Sequence, residues 1–482
     1  MRRHAEMSEE FQVIIGLEVH CQLNTKSKLF CGCSADFRAD APNTHVCPVC
    51  LGLPGALPVL NKKAVEYALK VAKALNCTIP EEGEFCRKNY FYPDLVKAYQ
   101  ITMGDDPLAI GGYIEIEDDA GNPKVVNLTR IHVEEDPGRL VHMGNKERGY
   151  YTLVDYNRSG IPLIEMVTEP EMSSPKEARR LLNKLRATLE YLDVFDPEKE
   201  GSLRVDANIS IKGHERVEIK NITSYKGVEK ALTFEITRQK NLIRRGGRIV
   251  RETRHFQEGK GTTTSARSKE TANDYRYFPE PDLPVIRVAD WVKDIELPEL
   301  PDARRDRFMS QYGIAVNHAR TLTGDLKLAE FYEAIAEVGA ALAASWTADI
   351  LMGELNYRDM HVSEVAGHAD QFAELITLVR DKKITDKAGV EVLRVWLDAL
   401  HNEAKSEAPA AIVERLGLAR ESGESFRGIV EAILEKNPQA IEDHKAGKKG
   451  ALNFIVGQVM KETKGKSDPR EIHAMISEIL GE

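Results

Sequence analysis

The chain has 482 residues, 42% of them hydrophobic and 29% charged, and a formal net charge of −10. That length holds several domains and the composition is that of a globular protein, while the acidity argues against a coat for nucleic acid but permits a local basic patch. No apolar run approaches the ~18 residues a membrane crossing needs, and "MRRHAEMSEE" has no signal-peptide core, so a cytoplasmic protein with no membrane association is expected.

Residues 1–11 read as a flexible lead-in. "QVIIGLEVHCQL" (12–23) then alternates as a strand, with Val13, Ile15, Leu17, Val19, Cys21 and Leu23 on one side and Gly16, Glu18, His20 and Gln22 on the other. A helix is predicted over 62–75, where Val65, Ala68, Leu69, Ala72 and Leu75 share a face behind an Asn61 cap. Short alternating runs follow, among them "GGYIEIE", "KVVNLTRIHVEE", "GYYTLVDY", "IPLIEMVTE", "SLRVDANISI" and "RVEIKNI". A second helix, over 175–192, starts with Ser174 as N-cap, Pro175 at its first position and Glu177 at its third. This region, 12–295, is predicted to be α+β: a mostly antiparallel sheet with flanking helices. The proline-rich "FPEPDLPVIRV" closes it. Beyond about 300 the periodicity is helical, giving an all-α domain at 296–410 and a small helical tail at 411–482. Within residues 445–466 of that tail, Lys445, Lys448, Lys449, Lys461, Lys464 and Lys466 stand against a single Glu462; a solvated face and a nucleic-acid contact are both compatible with such a run.

All seven cysteines lie before residue 87, and four form two knuckles, Cys31-x-Cys33 and Cys47-x-x-Cys50. Four thiolates on short loops are the donor set of tetrahedral zinc, and a set with no open position is structural. A zinc deaminase is excluded: His132-x-Glu134 follows the cysteines instead of preceding them, and the second knuckle reads C-P-V-C.

Acids interrupt other strands. "TRIHVEEDPGR" carries Glu134, Glu135 and Asp136, and Glu165 sits alone among Ile161, Leu163, Ile164, Met166 and Val167. A carboxylate in so apolar a strand needs a partner. One reading gives it a structural ion pair with Arg158 or another basic residue. The other has Glu18, His20, Glu134 or Glu135, and Glu165 converge on a divalent cation, for which oxygen donors favour Mg2+ with substrate phosphate. Arg87, Lys88, Arg158 and Arg204 are basic candidates for that phosphate. No Walker A or kinase glycine-rich loop is present.

"VIIGLEVHCQLNTKSKLFCGC", "RKNYFYPDLVKAYQIT", "RIHVEEDPGR", "DYNRSGIPLIEMVTEPE", "EGSLRVDANISI" and "DYRYFPEPDL", in this order, resemble the B-subunit family of the aspartyl/glutamyl-tRNA amidotransferases, from about residue 12 to the C-terminus. The resemblance implies that 12–295 is a cradle-like kinase and transamidase domain. It would use ATP to phosphorylate the side-chain carboxylate of Asp or Glu on tRNA(Asn) or tRNA(Gln), and ammonia would then displace phosphate. It implies catalytic roles for Glu18, His20, Lys88, Glu134, Glu135 and Glu165, with Mg2+ on Glu18, His20, Glu135 and Glu165, Glu134 beside them, and Lys88 where an ammonia passage meets the pocket. It also implies zinc on Cys31, Cys33, Cys47 and Cys50, a tRNA-binding tail, and a heterotrimer with an amidase-type glutaminase A subunit and a small C subunit. A non-catalytic, zinc-stapled RNA-binding scaffold is the rival reading.

Overall fold

Strand β1 (Val13–Gln22) is the spine of the first unit. Its residues Ile15, Leu17, Val19 and Cys21 are at most 1% exposed, and it is flanked on both edges by antiparallel neighbours. The computed structural model describes residues 11–480 except 146–148, 200, 223, 267–274, 403–406, 421–425, 446–449 and 463–468, so most of the expected lead-in lies outside the described residues. The chain divides into two compact units, Met1–Leu300 and Pro301–Glu482.

In chain order the first unit supplies β2 (Phe85–Asn89), β3 (Tyr99–Met103), β4 (Ala109–Ile110), β5 (Tyr113–Glu117), β6 (Pro123–Glu135), β7 (Arg139–Asn145), β8 (Gly149–Asp155), β9 (Pro162–Thr168), β10 (Leu203–Ile211), β11 (Val217–Ile222), β12 (Glu252–Gln257), β13 (Thr262–Ser265) and β14 (Phe278–Pro279). The main sheet runs β13-β12-β11-β10-β1-β9-β6-β4, with β5 on β6; only the β11–β12 pair is parallel. A small sheet, β14-β2-β3, and the hairpin β7-β8 complete it. Helices α1 (Lys62–Ala74), α2 (Pro175–Tyr191) and α3 (Tyr225–Arg244) share one core with the sheet's apolar face.

The predicted caps are in place. Asn61 Oδ1 accepts from Lys63 and Ala64 N–H, and Ser174 Oγ accepts from Glu177 N–H at 3.2 Å. The Glu177 carboxylate reaches back one residue further than a capping box requires, to Ser173 N–H at 2.7 Å, and also holds Lys124.

The second unit has no strand among its described residues. Three of its last four helices among the described residues, Arg427–Lys436, Ala451–Glu462 and Pro469–Leu480, close a small core of their own around Val430, Ile455, Val459, Ile472 and Ile476. Lys461 is exposed on the second of these. Lys445 ends the helix Pro438–Lys445, while Lys448, Lys449, Lys464 and Lys466 lie outside the described residues. The class is thus α+β followed by an all-helical region, and no described helix is long and apolar enough to cross a membrane.

Candidate active site and metal centre

The polar face of β1 looks onto the polar residues of β9, β6 and β10. Pairing fixes one row across four strands: His132 opposite Glu165, Glu165 opposite His20, His20 opposite Arg204. Because side chains alternate at period two, Glu18 and Glu134 stand on the same face as this row. His20 is the hub. Its Nε2 lies 3.6 Å from Glu18 Oε1, 3.6 Å from Glu134 Oε1 and 3.7 Å from Glu165 Oε2. Donor atoms of Glu18, His20 and Glu165 all fall within 4.8 Å of one another, so one cation fits among them.

The electrostatics match that crowding. Burial works against a charged imidazole, yet the hydrogen bond to Glu165 and the carboxylates of Glu134 and Glu18 outweigh it and hold His20 up to about 9. Burial also works against the Glu165 carboxylate, but His20, His132 and Arg130 draw it down to about 2. Glu18 and Glu134 are raised, chiefly by burial, with Glu165 adding repulsion. Three acids this close need either protons or a cation.

Lys88 on β2 sits beside this face. Its ammonium lies 4.9 Å from the Tyr275 ring centroid and 5.9 Å from that of Tyr90. Burial disfavours its charge, but Glu134, Glu165 and neighbouring tyrosines keep its pKa above the usual value.

Two expectations need correction. Glu134 and Glu135 are adjacent on β6 and so point to opposite faces. Glu134 joins the cluster, whereas Glu135 turns to Lys97 and to Ile101 N–H (2.9 Å) and lines a cleft of about 210 Å³ together with Arg87, Lys97 and Asp282. The three arginines expected at phosphate are already engaged. Arg87 is bidentate to Glu280 at 2.7 Å, Arg158 donates to the carbonyls of Pro137 and Gly138, and Arg204 binds Asp136 at 2.7 Å. Arg158 is thus no partner for Glu165. That place belongs to Arg130, whose Nη2 is 3.3 Å from Glu165.

Arg130 and Lys220 are site residues that the sequence does not single out, and Asp136 and His132 stand out in it without a site role. The Asp136 side chain is fully buried and accepts from Gln22 Nε2 (2.7 Å) as well as Arg204. Lys220 pairs with Asp206 at 2.7 Å and lies near Glu18. His132 is lowered to about 4, chiefly by burial, and its Nε2 has no hydrogen-bond partner among the described residues. The alternation of Arg130, His132 and Glu134 in "RIHVE" was the signal available for two of these.

The four knuckle cysteines also converge, their sulfurs within 4.8 Å of one another, with Cys50 buried. Hydrogen bonding from Cys31, together with the nearby Lys28, draws Cys50 down to about 4, and Cys31 is pushed up in exchange. The arrangement is compatible with a structural zinc ion.

Residues 13–294 match the family described as the GatB/GatE catalytic domain, and residues 330–480 match the GatB domain. The chain is 67% identical over 470 residues to the B subunit of the aspartyl/glutamyl-tRNA(Asn/Gln) amidotransferase from Methanoregula boonei, covering 96% of this chain and 97% of that protein. It belongs to this family of amidotransferase B subunits. The counterpart from Methanospirillum hungatei is 65% identical over 472 residues (98% and 99% covered), and that from Methanosarcina mazei 54% over 484 (96% and 97%). The GatB/GatE catalytic-domain match contains every residue of both the acid cluster and the cysteine set.

Proposed function

We propose that this chain is the carboxylate-activating subunit of a glutamine-using aminoacyl-tRNA amidotransferase, working in the cytoplasm. It transfers the γ-phosphoryl group of ATP to the side-chain carboxylate of Asp on tRNA(Asn) or Glu on tRNA(Gln), and ammonia then displaces phosphate to leave the amide. The observation that carries this reading is the convergence of Glu18, Glu134 and Glu165 on the single imidazole of His20. The tRNA substrate class follows from the names of the relatives.

The donor set fits a hard divalent cation: carboxylates of Glu18 and Glu165 and one ring nitrogen of His20 meet within 4.8 Å, with Glu134, raised like Glu18 chiefly by burial, beside them. Glu18, His20 and Glu165 would hold Mg2+, with Glu134 beside them, and the ion would neutralise phosphate charge during phosphoryl transfer. The chain's own residues do the positioning. Arg130 fixes the Glu165 carboxylate, and Asp136 ties Arg204 of β10 to the end of β6. Lys88, whose ammonium has no ion pair among the described residues, is the cation left to face the transferring phosphoryl group. Ammonia is supplied by a glutaminase A subunit in a heterotrimer with a C subunit, and the lysines of the tail contact tRNA. The four cysteines hold structural zinc.

The test is a reconstituted complex in which ADP formation dependent on misacylated tRNA is measured. Glu134→Gln is expected to abolish it, whereas Glu135→Gln retains it. Near wild-type amidation by Glu134→Gln would overturn the assignment, and loss in Glu135→Gln alone would move the ligand role to that residue. A scaffold without catalysis predicts no effect from either change. Elemental analysis of freshly purified protein is expected to find about one zinc per chain, and less than about half an equivalent would remove the four-thiolate site.

A further inference from the structure

Lys28 is the only fully buried lysine among the described residues. It stands three positions before Cys31, and its own amide donates to Cys33 O at 3.0 Å, so its backbone belongs to the first knuckle. Its side chain crosses to the second: Nζ lies 2.8 Å from His45 O, 3.3 Å from Tyr156 O and 3.6 Å from Cys50 Sγ. No carboxylate forms an ion pair with it among the described residues. An ammonium taken fully out of water without a counter-charge costs several kcal/mol. Among the described residues, the group beside it that can carry negative charge is Cys50 of the cysteine set, and four thiolates around a divalent cation would leave two negative charges that themselves need compensation.

The same side chain underlies the turn that leads into β9. Gly160 has φ +86°, and a Cβ there would stand 3.5 Å from Lys28 Cδ and 3.6 Å from Cys50 Cβ. Its carbonyl accepts from Leu29 N–H and its N–H donates to Asp136 O, both at 2.8 Å. On the other side, Asn157 accepts from His45 N–H (2.8 Å) and donates to Ala41 O (2.8 Å), while Asn43 bonds Val154 O and Tyr156 N–H. The segment 154–161 is therefore tied at its start to the loop between the knuckles and at its end to Leu29, just ahead of the first knuckle. Pro162 begins β9, which carries Glu165.

We propose that Lys28 is the counter-cation of the four-cysteine zinc centre and that, through it, occupancy of that centre holds the 154–161 turn and the entry to the Glu165 strand. The inference rests on the zinc reading given above. Lys28 is a positioning residue in this scheme: it touches neither substrate nor the acid cluster. Loss of zinc strands its ammonium in the interior, and the turn it supports loosens with it.

The experiment compares wild type and Lys28→Met in the full complex, following transfer of zinc to EDTA with a colorimetric indicator. Lys28→Met is expected to release zinc about 10–100-fold faster, the usual effect of losing a partner of a metal ligand. Its amidation should fall on chelation before that of wild type does, and recover with added zinc. Equal release rates, with zinc present in both, overturn the role of Lys28 and leave the zinc site standing. A wild-type protein without zinc overturns the zinc reading itself and this inference with it. If Lys28→Met does not fold, hydrogen exchange on wild type decides. Zinc removal is expected to raise exchange in 154–161 as well as 31–50, and an unchanged 154–161 segment overturns the coupling.

Discussion

Replacing Glu165 by alanine in the assembled complex is expected to lower ATP-dependent amidation by about 1,000-fold or more, some 4 kcal/mol of lost transition-state stabilisation. The side chain is held from three directions, by His20, by Arg130 and by the sheet register that sets it opposite both His20 and His132. Removing it leaves His20 with two carboxylates and takes away the one acid of the cluster whose pKa lies well below normal, the acid best suited to remain charged beside a cation. Glu165→Gln keeps the volume and much of the hydrogen bonding but not the charge, so it should be nearly as inactive. Hydrolysis of glutamine by the glutaminase partner and binding of tRNA should survive both changes. Amidation at near wild-type rate by either variant would place the reacting phosphate elsewhere.

The second large effect is on stability. His20 is raised from 6.5 to about 9 in the folded protein, so folding takes up a proton between those values. The stabilisation it brings is fully present below pH 6.5 and is lost as pH rises through about 9; its size is about 3 kcal/mol. Glu165 has the opposite sign. It is lowered to about 2, and its contribution is present above pH 4.5 and lost as pH falls through about 2. These are two views of one ion pair and count once. Metal-free protein should therefore melt at progressively lower temperature from pH 6.5 to 9, by about 4–5 °C if the first unit, Met1–Leu300, unfolds as a whole. A divalent ion takes the neutral imidazole, so saturating Mg2+ should flatten that decline. Thermal melts of wild type and His20→Gln across this range check it: the difference between the two curves should shrink toward zero at high pH, and a constant difference would show that His20 does not titrate there.

Much of this was legible in local sequence. Alternation in "VIIGLEVHCQL" gives β1 and puts Glu18 and His20 on one face, and Asn61 and Ser174 announce their helices. Glu165 stood out because a lone acid among apolar neighbours demands a partner. What remained hidden were the partners, since pairing between distant strands leaves no local trace. Arg130, not Arg158, meets Glu165, and nothing near Arg204 or Arg87 says that Asp136 and Glu280 already occupy them. Glu134 and Glu135 show a different failure: strand parity alone separates them, whereas the family pattern drew the ligand role to Glu135. Lys28 gave no signal at all, because "TKSKLF" offers two lysines and only tertiary packing distinguishes the buried one.

The placement of β1 between β9 and β10 also has a kinetic meaning. Leu17 N–H reaches Thr168 Oγ1 across 151 positions of chain, and Glu18 pairs with Asp206 further along still. Contacts that close such long loops form slowly and late. The acid cluster therefore cannot exist in any folding intermediate that lacks β6 or β9, and a one-residue slip in either would turn its acids into the core. During refolding, acquisition of the proposed divalent-ion site should coincide with the last docking of the sheet, so that metal binding would time the slowest step.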